Sequence, residues 1–389
     1  MIQKIATRDG YGRKLAELTD EKIVVLTADL AESSRVKPFA EKHPDRFIQV
    51  GISEQDMFGM ANGLALEGFI PLTNTFASFC LRGHEQIRLI AINNSNVKIV
   101  GHHAGITLGQ DGVSQMCEVD ISLFRTMPNF SVVVPCDALE TQKSLGEIVK
   151  AKGPCYLRLS REPFPILTND YSEFKIGKAN IMREGSDVLI VACGIMVSEA
   201  LLAASILQEQ NINAAVMNMH TIKPLDKETL LQYANKCKAV VTCEEHSIYG
   251  GLSSAVAEAL AMAKIPIKMI GINDKFGESG KPDELLEKFG LTGEHIAECC
   301  IDVLRFKDKI ASGREMKDVD ELMHEINTFK RELEAKAAQT NTTARPEPKA
   351  YEEDPRGRII KMSEKDKEKV DAVLEKMFGG RKNGKKTNP

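Results

Sequence analysis

The chain has 389 residues, a formal net charge of −4 and only 5% aromatic residues. The length predicts more than one domain, and the near-balanced charge excludes a general attraction to nucleic acid or to an anionic membrane. The N-terminal segment has no continuous apolar core of the secretory type, and no apolar run is long enough to span a bilayer. Nine cysteines without a C-x-x-C pair are typical of reduced buried thiols. We therefore expect a cytoplasmic protein.

Residues 1–165 alternate short apolar runs with helical segments. Strands are predicted for KIVVLTAD, FIQVGI, VKIVGHH, FSVVVPC and CYLRLS, and helices for RDGYGRKLAEL, EQDMFGMANGLALEG, HEQIRLIAI and ALETQKSLGEIVKA. The Val/Ile runs do not alternate with polar residues, which predicts a parallel sheet buried on both faces. Pro163 and Pro165 break this rhythm, so residues 166–180 are predicted to be a linker between domains.

The alternation resumes in residues 181–306. Strands are predicted for DVLIVACG, INAAVMNM, KAVVTCEEH and IPIKMIGIN, with helices in SEALLAASILQEQ and after Gly251. This pattern predicts a second, smaller α/β domain. The fold class is therefore α/β, with two consecutive parallel-sheet domains.

Residues 307–389 are predicted to be a charged helical tail that contains a disordered linker. A heptad-like apolar stripe is formed by Val319, Leu322, Ile326, Phe329 and Leu333. The segment AAQTNTTARPEPKAYEEDPRGR is typical of a flexible linker, and a last helix is predicted from Ser363 to Gly379. A solvated tail is the favoured interpretation, and a docking or oligomerisation arm is the alternative.

The segment GISEQDM places a carboxylate, Glu54, between the strand-like run RFIQV and the small-residue run FGMANGLAL. Apolar sequence on both sides suggests that this carboxylate is shielded from water. A glutamate that serves only the dipole at a helix N-terminus is the simpler interpretation. The residue is therefore a candidate functional group.

Six segments occur in one order along the chain: KIATRDGYG, HPDRFIQVGISEQDM, TFASF, GQDGVSQM, HTIKPLD and ESGKPDELLEKFG. Together they resemble the C-terminal half of transketolase, a thiamine-diphosphate enzyme, over residues 3–304. The animal-type sequences are the most similar. The resemblance implies a pyrimidine-binding domain over 1–165 and a transketolase C-terminal domain over 181–306.

The resemblance also implies how the cofactor is bound. Glu54 would hydrogen-bond the ring nitrogen of the aminopyrimidine and thereby activate the cofactor, which requires a carboxylate shielded from water. Phe76 and Phe79, which the spacing alone would put on one helical turn of the core, would form a flat apolar wall against the ring. Asp29 would lie near the cofactor across a dimer interface.

Substrate binding is implied for a further set of residues. Sugar phosphates carry hydroxyls and a dianion, and Arg suits bidentate phosphate contact. The implied phosphate-binding residues are Arg8, Ser33, His103 and Arg161, with Ser34 as an alternative to Ser33. Asp111 would bind a substrate hydroxyl, and Gln115 would hydrogen-bond the substrate.

A full transketolase also carries a Gly-Asp-Gly motif, which with a downstream Asn holds the metal that bridges to the cofactor diphosphate. No Gly-Asp-Gly occurs in this sequence, and Met1 closely precedes KIATR, so we expect a natural start. The expectation is the C-terminal subunit of a split transketolase, which transfers a two-carbon ketol unit between sugar phosphates. A separate N-terminal subunit would supply the diphosphate-binding domain and Mg²⁺ or another divalent metal, in an assembly with two copies of each chain.

Two alternatives stay open. The first is a related thiamine-diphosphate subunit, either a deoxyxylulose-phosphate synthase or the beta subunit of a 2-oxoacid dehydrogenase. The second is a non-catalytic transketolase-like binding protein with the tail as its working part. The implied phosphate-binding set and GQDGVSQM favour transketolase over the first alternative, and the presence of Glu54 argues against the second.

Overall fold

The computed structural model describes residues 3–311, 351–353 and 359–362. The chain divides into a first unit, Met1–Arg314, and a second unit, Glu315–Pro389. The strands, in chain order, are β1 (Lys4–Ala6), β2 (Ile23–Thr27), β3 (Phe47–Gln49), β4 (Ile70–Phe76), β5 (Lys98–His102), β6 (Ser131–Val133), β7 (Cys155–Arg158), β8 (Pro163–Pro165), β9 (Asn180–Arg183), β10 (Val188–Ala192), β11 (Ala214–Asn218), β12 (Thr221–Lys223), β13 (Val240–Ser247), β14 (Ile267–Ile272), β15 (Tyr351–Glu353) and β16 (Ile359–Met362).

The helices are α1 (Thr7–Leu15), α2 (Lys37–Lys42), α3 (Glu54–Leu66), α4 (Ala77–Cys80), α5 (His84–Asn93), α6 (Asp120–Thr126), α7 (Ala138–Ile148), α8 (Met196–Glu209), α9 (Lys227–Cys237), α10 (Leu252–Leu260), α11 (Pro282–Lys288) and α12 (Gly293–Ala311). Short 3-10 turns cover Pro44–Arg46, Leu81–Gly83 and Gly109–Asp111. None of the described helices combines the length and apolarity that a membrane span requires.

The first unit contains two large, mostly parallel sheets, as the sequence predicts. The seven-stranded sheet has the order β12-β6-β7-β5-β4-β2-β3, and the five-stranded sheet has the order β14-β13-β10-β11-β9. Strands β12 and β9 pair antiparallel at the sheet edges, and the other pairs within these two sheets are parallel. Because β12 returns to the first sheet from the middle of the second domain, the chain ties the two sheets together.

Strand β4, which lies near the centre of the first sheet, was not foreseen from the sequence. Its polar residues Thr73, Asn74 and Thr75 interrupt the apolar run in the sequence, yet each is buried. Thr27 donates to the carbonyl of Asn74, and the Asn74 amide donates to the carbonyl of Leu72 at 3.0 Å. These partners offset the cost of burying the Thr27 hydroxyl and the Asn74 amide.

Pro163 and Pro165 form β8, an edge strand that pairs antiparallel with β1. The prolines were expected only to interrupt the chain, but an edge strand tolerates residues without an N–H group. The ladder pairs Lys4 with Pro165 and Ala6 with Pro163. It therefore brings the N-terminal segment beside the end of β7.

Helix α12 continues through the predicted boundary at residue 306 to Ala311, and its buried face includes Cys300 and Val303. The predicted tail differs from the structure in one described segment. Strands β15 and β16 pair antiparallel, so the linker prediction is wrong for Tyr351–Glu353. The heptad-like stripe over 319–333 and the predicted helix over 363–379 lie outside the described residues.

The contact between α1 and α7 predicts a matched pair of glycine effects. A Cβ atom at Gly10 would lie 2.3 Å from the carbonyl oxygen of Ala138, whereas one at Gly146 would meet only the end of the Lys14 side chain at 3.9 Å. Gly10→Ala should lower the free energy of unfolding by about 1–3 kcal/mol through overpacking. Gly146→Ala should leave it unchanged or raise it by up to about 1 kcal/mol.

Urea unfolding of both variants measures this difference. Equal stability of the two variants would contradict the close helix approach.

Candidate functional site

The candidate residues gather where the parallel strands of the first sheet end. Asp29 follows β2, Phe76 closes β4, His103 follows β5, and Arg161 lies just beyond β7. Ligands of open α/β sheets bind outside the carboxyl ends of the strands. Residues that are far apart in sequence therefore share one edge of the sheet.

Glu54 is the first residue of α3, and its side chain is only 3% exposed. The Nε of Arg82 lies 3.3 Å from its carboxylate. A side chain at Gly83 would collide with Phe58, so glycine allows the turn that carries Arg82 to lie against α3. The result is a buried carboxylate beside a cleft of about 360 Å³, which the Glu54 and Arg82 side chains both line.

Phe76 and Phe79 form a stacked pair. Their ring centroids are 5.3 Å apart, and the ring planes differ by 10°. Phe76 belongs to β4 and Phe79 to α4, so they do not share a helical turn as the spacing suggested. The centroid of the Phe76 ring also lies 3.9 Å from that of the His103 ring. Three flat rings thus gather at the carboxyl end of β4.

The β1–β8 ladder brings two arginines together from opposite ends of the first domain. Ser160 donates its backbone N–H to the hydroxyl of Thr7 at 2.7 Å, which fixes the residues next to Arg8 and Arg161. Burial lowers the pKa of Arg8, and the nearby guanidiniums of Arg35 and Arg161 lower it further. The carboxylates of Asp9 and Glu162 oppose this lowering of the pKa. An anionic ligand would offset the repulsion among the three guanidiniums.

His103 joins this cationic cluster as a neutral ring. Arg8 donates to its Nε2 at 2.8 Å, and because a guanidinium only donates, the ring proton belongs on Nδ1. That Nδ1 has no hydrogen-bond partner within the described residues. Burial, together with Arg8, Arg161 and Arg35, lowers the pKa of His103 to about 3.

Asp111 ends the 3-10 turn after β5 and pairs with Arg161 at 2.9 Å. Arg161 also donates to the carbonyl of Leu108 at 3.2 Å. Both partners are partly exposed, so their charges remain accessible to a ligand. The implied hydroxyl-binding carboxylate and one implied phosphate-binding arginine are thus in direct contact.

The remaining candidate residues, Ser33, Gln115 and Asp29, contact the rest of the site only through backbone groups or not at all. The Ser33 carbonyl accepts from Arg8 at 3.1 Å, whereas the Ser34 hydroxyl is used within its own turn, donating to Leu30. The Gln115 carbonyl accepts from Ser78, beside Phe79. Asp29 has an exposed side chain and a left-handed backbone with φ of 59°. No described contact joins its carboxylate to the rest of the site.

Two further residues belong to the site that the sequence did not single out for a role. Arg82 belongs to none of the six segments that resemble transketolase, and it contacts Glu54. Arg35 has a left-handed backbone with φ of 61° and binds Asp9 at 2.6 Å. His103 shares this uncommon conformation, and clustered strain of this kind is typical of functional sites.

A metal centre is not evident in the described part of the chain. Within it, no group of three or more His, Cys, Asp or Glu side chains is placed to hold a metal ion. All nine cysteines are buried free thiols.

Comparison with protein families gives two matches. The transketolase pyrimidine-binding domain matches residues 3–165, and the transketolase C-terminal domain matches residues 177–296. Both lie within the span over which the sequence segments resemble transketolase.

Two relatives match this chain over nearly their whole length, and a third matches over about half of its length. A 6-deoxy-6-sulfo-D-fructose transketolase subunit from Clostridium sp. (strain MSTE9) is 43% identical, over 77% of this chain and 95% of the relative. A transketolase C-terminal section from Methanocaldococcus jannaschii is 45% identical, over 77% of this chain and 96% of the relative. Human transketolase is 37% identical over 76% of this chain, which spans 48% of the human protein.

Among solved structures, a split-gene transketolase described as an inactive beta4 tetramer is similar, with a TM-score of 0.72 and 42% identity. The match covers 78% of this chain and 99% of that one.

The buried ring of His103 predicts a pH effect on stability. Its folded-state pKa of about 3 lies below the ordinary value of 6.5, so the unfolded chain binds more protons between these values. The contribution is fully present above pH 6.5 and is lost as pH falls, by up to about 1.4 kcal/mol per pH unit. His103→Asn, which tolerates the left-handed backbone, should therefore lose less stability than the parent between pH 6.5 and 4.5.

Urea unfolding across this range measures the effect, with the exposed His84→Asn as control. Parallel pH curves for the parent and His103→Asn would contradict the assignment.

Proposed function

The chain belongs to the transketolase family, and from that premise we propose that it is the C-terminal subunit of a split thiamine-diphosphate-dependent transketolase. The reaction transfers a two-carbon ketol unit between ketose and aldose phosphates. One observation carries this proposal: a buried carboxylate, Glu54, belongs to the same domain as the stacked pair Phe76–Phe79 and the Arg8–Arg161 cluster. The carboxylate could act on a heterocycle, the phenyl rings could stack on that heterocycle, and the arginines could hold an anionic substrate.

Glu54, Phe76 and Phe79 fit the aminopyrimidine end of thiamine diphosphate. When bound, the cofactor supplies the carbon nucleophile that takes up the two-carbon unit. Glu54 would hold a proton shared with the ring nitrogen, and its burial keeps that hydrogen bond out of water. The stacked phenyl rings would exclude water from the ring face. Asp29 is proposed to reach the cofactor of a neighbouring subunit.

Arg8, Arg161 and His103 are proposed to hold the phosphate of the sugar. Two guanidiniums supply donors in a fixed geometry that matches a phosphate. The neutral His103 adds an Nδ1–H that has no partner within the described residues. Ser33 is proposed to complete this anion site.

Asp111 and Gln115 are proposed to bind the sugar hydroxyls. A 2-oxoacid has no phosphate to engage the arginines, so this site favours a sugar phosphate over the substrate of a 2-oxoacid dehydrogenase.

A sulfonated sugar is a second candidate substrate. A relative that is 43% identical is named as a 6-deoxy-6-sulfo-D-fructose transketolase subunit. A sulfonate is also a tetrahedral anion, and the same arginines could bind it. Turnover of phosphorylated and sulfonated ketoses by the same preparation separates the two.

The metal and the cofactor diphosphate are assigned to a partner. The described residues hold no group of side chains suited to a metal ion, and an uncompensated diphosphate binds poorly. We propose that an N-terminal transketolase subunit holds Mg²⁺ or another divalent ion. Two relatives of this chain's extent are named as a subunit and as a C-terminal section.

An exposed apolar face supports self-association as well. Helices α3 and α5 and the loop before α3 present large side chains that are 39% to 70% exposed: Ile52, Met60, Leu66, Leu89 and Ile92. Contiguous exposed apolar surface is typical of protein interfaces. We propose an assembly with two copies of each chain, and a 42% identical structure is described as a beta4 tetramer.

The domain assignment and the compartment follow from the same proposal. Residues 1–165 are proposed to be the pyrimidine-binding domain, 181–306 the C-terminal domain, and 166–180 the segment that joins them. Free buried cysteines suit a reducing compartment, so the cytoplasm is proposed.

Replacement of Glu54 tests the proposed function. Glu54→Gln keeps the shape but cannot take up a proton, so two-carbon transfer in a mixture with an N-terminal subunit should fall by roughly 100-fold or more. Assembly, measured by size-exclusion chromatography, should be unchanged. Glu209→Gln, an exposed change at the end of α8, is the control. Full turnover by Glu54→Gln would contradict the assignment.

Replacement of Arg161 tests the anion site. Arg161→Ala removes a charged donor, so KM for a phosphorylated ketose should rise about tenfold or more. KM for a donor without phosphate should change less. Arg183→Ala, which loses a hydrogen bond to Gln208 in the second domain, is the matched control. An unchanged KM for the phosphorylated ketose would remove Arg161 from the site.

A further inference from the structure

The loop between His103 and Asp111 is held by a residue of the other sheet. We propose that Glu245, in β13, is a positioning residue that fixes this loop and thereby orders the groups that bind the sugar. The inference deepens the proposed function and rests on it. It gives the C-terminal domain a defined part in substrate binding, although that domain supplies none of the residues proposed to touch the substrate.

The Glu245 carboxylate binds the loop backbone directly. Its Oε1 accepts from the N–H groups of Ile106 and Thr107, each at 2.7 Å, and the residue is 2% exposed. Hydrogen bonds to a charged acceptor are stronger than neutral ones. The loop therefore has two charge-assisted attachments to the second sheet.

Gly105 makes this close approach possible. Its backbone is left-handed, with φ of 81°, and a Cβ atom there would lie 2.2 Å from the Glu245 carboxyl group. A larger residue would displace the carboxylate from the loop. The sequence of the loop is thus adapted to Glu245.

Arg158 balances the charge of Glu245 in the interior. It donates to the main-chain carbonyl of Glu245 and to the Asp120 carboxylate, each at 2.8 Å. Burial raises the pKa of Glu245, and Arg158 opposes that rise. Burial disfavours the guanidinium too, but Asp120 and Glu245 hold the pKa of Arg158 above its ordinary value. The carboxylate is therefore kept where it meets the loop.

Further contacts from the C-terminal domain are made to the residues that follow this loop. Gly277 donates its N–H to the Glu118 carboxylate at 2.6 Å. A Cβ atom at Gly112 would lie 2.5 Å from the Ser279 hydroxyl, so the two segments are in close contact. The segment around Ser279 therefore packs against the turn that carries Asp111.

The anchored residues lie next to the groups that they would order. Thr107 is followed by Leu108, whose carbonyl accepts from Arg161, and then by the turn Gly109–Asp111. Freeing the loop would misplace Asp111 and the Arg161 partner together. It would leave Glu54, which belongs to α3, in place. The expected defect therefore lies in sugar binding and not in cofactor binding.

Glu244 provides a matched control in the same strand. It is equally buried, and its carboxylate also accepts two backbone N–H groups, from Leu252 at 2.7 Å and from Ser253 at 2.8 Å. Those groups begin α10, within the second domain. Glu244 and Glu245 thus each accept two backbone N–H groups, Glu245 on one oxygen and Glu244 on both, but only Glu245 holds the loop of the first domain.

The test compares Glu245→Asp with Glu244→Asp in the full chain. Each change keeps the charge but withdraws the carboxylate from its two N–H donors. Backbone hydrogen exchange is measured over residues 104–112. Glu245→Asp should speed exchange there by about tenfold or more, whereas Glu244→Asp should not. Gly105→Ala changes the loop instead and displaces the Glu245 carboxylate. If Glu245→Asp does not fold, Gly105→Ala should produce the same faster exchange over residues 104–112.

Kinetics of the enzyme assembled with an N-terminal subunit give the second readout. Glu245→Asp should raise KM for the sugar roughly threefold or more, with cofactor affinity and kcat changed less. Unchanged exchange in 104–112 with Glu245→Asp, or an equal rise with Glu244→Asp, overturns the inference. Faster exchange in a chain that shows no transketolase activity with any partner would retain Glu245 as the anchor of the loop and reject the proposed function instead.

Discussion

The relative position of the two large sheets depends on the buried charge of Arg158. This residue lies at the end of β7, and it donates to Asp120 in the first domain and to the main chain of Glu245 in the second. Tyr156 donates to the same aspartate at 2.7 Å, and all four residues are buried. Removing one partner from a buried ionic group leaves a charge that costs several kcal/mol. The two sheets are therefore held in one arrangement, and the loop between His103 and Asp111 is held with them.

A parallel sheet brings distant residues to one edge, and the site exploits this. Phe76 closes β4 and His103 follows β5, so one strand end supplies an aromatic surface and its neighbour supplies a polar ring. The β1–β8 ladder adds Arg8 and Arg161 from the two ends of the first domain. The cation cluster is thus a product of topology, since no short segment of the sequence contains it.

The sequence predicted the fold class and most strands of both sheets, because continuous Val/Ile runs indicate strands buried on both faces. It could not predict β4, in which Thr73, Asn74 and Thr75 are all buried, because Asn74 finds hydrogen-bond partners in Thr27 of the adjacent strand and in Leu72 of its own strand. The importance of Arg8 and Arg161 came from family resemblance, since isolated arginines give no local signal. Glu245 was missed for a related reason: its role depends on the loop it meets across the domain boundary, and CEEH looks like the end of an ordinary strand.

The central claim is that this chain supplies the group that activates thiamine diphosphate while a partner supplies the groups that anchor it. Calorimetric titration of thiamine diphosphate with Mg²⁺ tests the claim most directly, on this chain alone and on its mixture with an N-terminal transketolase subunit. We expect weak or undetectable binding to the chain alone and tight binding to the mixture. Tight binding to the chain alone, or no binding to the mixture, would contradict the account.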